Sequence, residues 1–234
     1  MRAFIPISAL LLLSSVLSLP RAHSPAPKPP SQSAEPVFHP AGLVAAKQII
    51  YPFASSAYGP VILEASINAK GKVEDVVAIR PIASLSEPAI RSVWNWKFKP
   101  ATLDDKPVAS RMTIAVMFNP SYPYSPSPAT LPPRAPDHDL PHVDAPFDPP
   151  EVISVVQATM PSALRDGSVV LQAKITSSGE LNYATVVLNS PPFVPNALAA
   201  LQKWQFEPAK FNGLPVASTM PIAFVFRVPV VVSP

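Results

Sequence analysis

The chain has 234 residues, of which 48% are hydrophobic and 14% charged, and its formal net charge is +3. A charge this weak, with no Lys/Arg cluster, excludes a basic stripe for nucleic acid. The absence of cysteine excludes disulfides, thiolate nucleophiles, cysteine metal sites and a lipoprotein anchor. The chain holds 34 prolines against 6 glycines, more than a compact domain takes, so part of it must be extended and unpacked.

In chain order, Met1-Arg2 and a short apolar run ending at Pro20 match a secretory signal peptide better than a membrane span. A span needs about 20 apolar residues and a signal peptide only about 7–15. Ser18, Ala22 and Ser24 are candidate cut sites, and an uncleaved short anchor is the alternative. Residues 25–42 form a proline-rich extended segment.

The strongest signal is an internal repeat. Residues 59–118 align with residues 167–226 without a gap, with 19 identities that include Gly71/Gly179, Trp96/Trp204, Phe98/Phe206, Pro100/Pro208 and Phe118/Phe226. In the first copy Val61, Leu63, Ala65 and Ile67 alternate with Ile62, Glu64, Ser66 and Asn68, the period of a strand with one buried face. Gly71 supplies a positive-φ turn, and a return strand is expected over residues 73–80, with residues 181–188 as its counterpart. Ser84 with Glu87 reads as a capping box, with Pro88 in the first helical turn. Ala89, Val93 and Trp96 lie on one helical face, matched by Ala197, Leu201 and Trp204, and Pro100 and Pro208 stop the helices. The last strand carries Ser110, Met112, Ile114, Val116 and Phe118 on its apolar face. The expected fold class is α+β: two tandem ββαβ modules, each a three-stranded antiparallel sheet covered by one helix. Residues 120–150 hold 11 prolines and join the modules as an extended linker with a reach of up to about 95 Å.

The string from Val61 through Gly71, then Trp96-x-Phe98-x-Pro100-Ala101 and Pro107-Val108, resembles the TonB C-terminal domain. The second copy repeats it with Trp204-x-Phe206-x-Pro208-Ala209 and Pro215-Val216. With that resemblance the domains are a signal peptide or short anchor (1–24), an extended segment (25–42), module 1 (43–119), a linker (120–150) and module 2 (151–230). Members of the family are energy transducers whose C-terminal domain grips a segment of an outer-membrane transporter by adding a strand to its sheet. Their partner motif, Q-P-x-Y-P, lies just before the first strand. Gln48, Tyr51 and Pro52 match it here, and Gln157 and Pro161 match it in the second copy, where the tyrosine is lost. The motor-coupling end of a transducer is a full transmembrane helix with a histidine on one face; here the apolar run is short and His23 lies beyond Pro20.

Chemistry is otherwise sparse. His23, His39, His138 and His142 all lie outside the repeated modules, and no module carboxylate recurs as a carboxylate in the other copy. These carboxylates read as solvated, and residues 137–144 as a solvated linker rather than a metal site. No catalytic residue, cofactor or metal ligand is assigned, and the chain is read as a non-enzyme. The expected activity is capture of extended segments of envelope or outer-membrane proteins in the periplasm, linked to TonB-dependent transport. Strand addition would use the free edge of the last strand, at Arg111 and Ile114. The alternative is an assembly protein whose modules pair with each other or self-associate.

Overall fold

The computed structural model describes residues 36–121, 128–136, 146–162 and 165–228. The expected signal segment, most of the proline-rich segment after it, Tyr122, Tyr124 and the His138/His142 cluster lie outside the described residues.

The first half runs β1 (Phe38–His39), β2 (Gly42–Ala45), β3 (Gly59–Ile67), β4 (Val73–Arg80), α1 (Ala83–Val93), β5 (Lys97–Lys99), β6 (Ala101–Leu103), β7 (Lys106–Val108) and β8 (Ser110–Phe118). Two linker strands follow, β9 (Pro128–Ala129) and β10 (Phe147–Asp148). The second half then repeats the order: β11 (Glu151–Val156), β12 (Gly167–Ile175), β13 (Leu181–Leu188), α2 (Val194–Leu201), β14 (Gln205–Glu207), β15 (Ala209–Phe211), β16 (Leu214–Val216) and β17 (Ser218–Phe226). The class is α+β, with two helices among the described residues and mostly antiparallel sheets.

The hairpins β3–β4 and β12–β13 turn at Gly71 (φ 75°) and Gly179 (φ 83°). Each module also carries a hairpin that the ββαβ reading omitted. It joins β6 to β7 and β15 to β16, and turns on Asp104-Asp105 and Asn212-Gly213, all four at positive φ. The helices end well before Pro100 and Pro208, because Trp96 and Trp204 sit in the turns that follow and send their indole N–H groups to the Lys47 and Val156 carbonyls at 3.1 and 2.9 Å. Ser84 does not cap α1: its hydroxyl pairs with Ser55 at 2.7 Å, while Ser86 Oγ accepts from the Ile82 amide. Pro88 consequently lies inside the helix rather than in its first turn.

The largest departure concerns the sheets. The two three-stranded sets do not stand apart but fuse into one six-stranded sheet, ordered β13-β12-β17-β8-β3-β4. The seam is a parallel pairing of residues 222–225 with residues 115–118. Ala115 lies opposite Ile222 and Met117 opposite Phe224, so each pair points to one face. That face is the one α2 covers, because Ala115 and Met117 share a core with Phe224, Ala197 and Leu201. The alternate residues Ile114 and Val116 share the other core with Ala89 and Val93 of α1. The helices therefore cover opposite faces of one sheet.

This arrangement explains a second departure. All nine residues of β3 are buried, Glu64 and Ser66 included, instead of one face only. Ile62 enters the module 2 core, and its counterpart Val170 enters the module 1 core together with Ala223 and Val225. A lone module would expose these side chains, and burying a Val, Ile or Met contributes about 1.5–3 kcal/mol. The described part of the linker also departs from a free spacer. Here β9 pairs with β11, β10 pairs with β15, Leu131 packs on the module 2 core and the Ala135 amide donates to the Ile79 carbonyl at 2.8 Å.

Candidate partner-binding surface

The edge expected to accept a partner strand is paired over part of its length. β17 pairs with residues 115–118 of β8 on the side away from β3, and Ile114 is fully buried in the first core. Arg111 is likewise committed. Its guanidinium donates to Glu64 at 3.2 Å and to Asp148 of β10 at 3.1 Å. The same places in module 2 hold Gln172 and Thr219, whose side chains bond the module 1 arm at the Leu43 amide and the Ala41 carbonyl. The module 1 half of the sheet thus holds β10, and the module 2 half holds Ala41 and Leu43 at β2. The expected site of strand addition at Arg111 and Ile114 therefore lies beside the paired residues 115–118, with Ile114 buried and Arg111 engaged in ion pairs.

Around Arg111 lies a charged cleft of about 300 Å³ that also contains Arg134, Glu151, Glu207 and Lys210. Its cations are paired, Arg134 with Glu151 at 3.3 Å and Lys210 with Glu207 at 3.1 Å, so it serves as a polar seam. Burial raises the Glu64 carboxyl above its ordinary value of 4.5, against the pull of Arg111. The folded chain then keeps a proton that the unfolded chain has released. Stability contributed by this group falls as pH rises from the ordinary carboxylate value through the raised one. Urea melts through that window should show a loss that Glu64→Gln lacks, and identical profiles for the two chains would contradict the assignment.

The motif residues take a different position. Gln48 and Ile50 are exposed on the loop before β3, and Phe53 at its tip is 94% exposed. Tyr51 is buried, its hydroxyl donating to the Ala57 carbonyl and its ring standing edge-on to Phe118 at 5.2 Å. Burial pushes its phenol up to about 12, with Arg227 opposing, so it remains a protonated donor. Arg227, just past β17, lies 4.7 Å over the Tyr51 ring and donates to the carbonyls of Pro52 at 3.0 Å and Phe53 at 3.3 Å. The Ile49 amide donates to Ser168 at 3.2 Å, a second tie to module 2. In the other direction Asn119 Oδ1 accepts from the Ala158 amide beside Gln157. Each motif loop is therefore clamped by the opposite module.

Gln157 is buried and lines a groove of about 590 Å³ together with Tyr58, Pro60, Ile82, Pro128 and Pro132. Pro161 is half-buried. The fold thus places Gln48, Tyr51 and Pro52 on one clamped loop and Gln157 in the groove that begins at Tyr58. Sequence reasoning missed Phe53, Tyr58 and Arg227. The apolar run through Ile49, Ile50, Tyr51 and Phe53 was a signal for the first of these, being too apolar for an ordinary loop. Nothing signalled Arg227, because its counterpart in the other copy is Asn119.

Among the described residues no three His, Cys, Asp or Glu side chains are grouped so as to hold a metal, and no helix is long and apolar enough to cross a membrane. The fold is a duplicated strand–helix–strand unit, each copy preceded by a loop that carries motif residues. The family described as Gram-negative bacterial TonB protein C-terminal matches residues 54–120 and again 162–228, and the chain belongs to that family. Its domains are non-catalytic, periplasmic in Gram-negative bacteria, and interact with envelope or outer-membrane proteins in general. No curated protein and no solved structure matches the chain.

Proposed function

We propose that this TonB-related envelope protein binds extended segments of envelope or outer-membrane partners in the periplasm, after export by its N-terminal segment. The partner lies in the groove between Tyr58 and Gln157 and contacts the loop that carries Gln48, Tyr51 and Pro52, with Pro161 at the neighbouring loop. One observation carries the reading: Phe53 is 94% exposed although Arg227 and Tyr51 hold the backbone of its loop from below. A large apolar side chain fixed in water is the form an interface anchor takes, and preorganisation lowers the ordering cost of binding. A groove lined by prolines and a tyrosine suits an extended chain.

Because β8 is already paired, capture relies on side-chain contacts and a few hydrogen bonds, each worth about 0.5–1.5 kcal/mol net. Micromolar, reversible affinity follows. A link to TonB-dependent transport is part of the proposal. Affinity capture from periplasmic and outer-membrane extracts should enrich a partner with the wild-type chain and lose it with Phe53→Ser. Truncating a central anchor costs about 2 kcal/mol or more, a loss of roughly thirtyfold. Equal enrichment by Phe53→Ser and by a Gln157→Ala variant would remove this surface from the account. The second reading, an assembly protein, draws support from the seam pairing of the modules and would leave capture empty.

A further inference from the structure

The six-stranded sheet ends in two strands that duplication makes equivalent, β4 and β13. They are treated differently. β4 carries Glu74, Asp75 and Arg80, and the linker runs along its end: the Ala135 amide donates to the Ile79 carbonyl and Arg80 donates to the Pro132 carbonyl, both at 2.8 Å. Charge and a covering segment are the usual means of blunting a sheet edge against association. β13 has neither. Its sequence, Leu-Asn-Tyr-Ala-Thr-Val-Val-Leu, contains no charge and no proline. Tyr183 is 56% exposed and Val186 41% exposed, and among the described residues no hydrogen bond reaches the outer backbone of this strand.

We propose that β13 pairs antiparallel with β13 of a second copy of this chain, joining two six-stranded sheets across a two-fold axis. Three features favour a second copy as the occupant. An uncharged strand meets its own image without like-charge repulsion, whereas the acidic β4 would oppose itself. A two-fold contact closes after one addition, so the edge is consumed and does not propagate. The contact also extends an established interface, because the modules already join edge to edge in this same sheet at β8 and β17. With the register centred on Ala184, Tyr183 of one copy faces Thr185 of the other, an aromatic and β-branched pair of the kind that stabilises sheets. The proposal does not involve the partner groove, so either can fail alone.

The absence of cysteine makes the test clean. In an antiparallel pair, opposed Cα atoms lie about 4.5–5.5 Å apart, within disulfide range. Under mild oxidation of the full chain, Ala184→Cys should yield mostly covalent dimer, whereas Thr185→Cys, set diagonally from its own image, should cross-link far less and Asn68→Cys on the β3–β4 turn should stay monomeric. By sedimentation the wild type should be a dimer at about 0.1 mM. A Tyr183→Lys/Val186→Lys double variant should be a folded monomer with an unchanged circular dichroism spectrum. A monomeric wild type, equal cross-linking through Asn68→Cys, or a dimer that survives the double lysine variant would each overturn the proposal.

Discussion

Aspartate in place of Ala223 should destabilise both modules together, by about 3–5 kcal/mol, the cost of an uncompensated buried charge. Ala223 belongs to β17 of module 2, yet its side chain is fully buried in the core that α1 covers, opposite Val116 across the seam. Its neighbours in that core include Val170, Val225, Ile114 and Val116, none of which can offset a carboxylate. For a chain of this size each kcal/mol shifts the melting temperature by about 2–4 °C, so a drop of about 10 °C is expected. The decisive reading is the shape of the melt. One seam implies one transition displaced as a whole. Independent modules would give two transitions with only the second displaced, and that result would contradict the shared core. Leu214→Asp, at a side chain 65% exposed, should leave the melt within about 0.5 kcal/mol of wild type.

The second large effect is expected at Gly71. Its φ of 75° is unfavourable for any side chain, and an added Cβ would collide with the Phe98 carbonyl oxygen. Left-handed strain of about 1–2 kcal/mol adds to an overpacking cost of about 1–3 kcal/mol, so Gly71→Ala should lose about 2–5 kcal/mol. Gly213 has nearly the same φ, 78°, but open space around it. Gly213→Ala should therefore show only the strain, about 1–2 kcal/mol. Urea denaturation of both variants separates the two contributions, and equal losses would show that the approach of the β3–β4 turn to Phe98 is not the constraint. The crowding recurs at Gly179, beneath the Phe206 carbonyl, so it belongs to the module design and not to one copy.

Local patterns were the legible part of this fold. Alternation from Val61 to Ile67 and the glycine after it fixed the first hairpin, and the return strands fall at residues 73–80 and 181–188 as expected. Family membership was legible for the same reason, because its motif combines strand period, turn glycine and the Trp-x-Phe-x-Pro run. The fusion of the sheets was not read, although a trace of it was present. Residues 114–118 and 222–226 are unbroken apolar runs, the mark of strands buried on both faces. Glu64 and Ser66 hid that double burial, because polar side chains on alternate positions ordinarily face water. Glu64 is buried beneath Arg111, which reaches across to Asp148 of β10, a contact that no local pattern encodes. Composition placed the linker in an extended class and was silent on what an extended segment can dock against. For the binding surface, the family motif located the loop but not its clamp: Arg227 lies in the other module, 175 residues beyond the Pro52 carbonyl it holds.

These contacts together assign the described residues from Pro36 onward as one body built from two family domains, with residues 115–118 of β8 paired to the second domain. Amide hydrogen exchange along β8 and β17 tests that most directly. The amides of residues 115–118 and 222–225 should be among the slowest in the chain and should exchange together, at the rate of global unfolding. Exchange in β8 that is orders of magnitude faster at the amides pointing away from β3 than at those pointing towards it would mean a free edge, and would contradict the fused sheet.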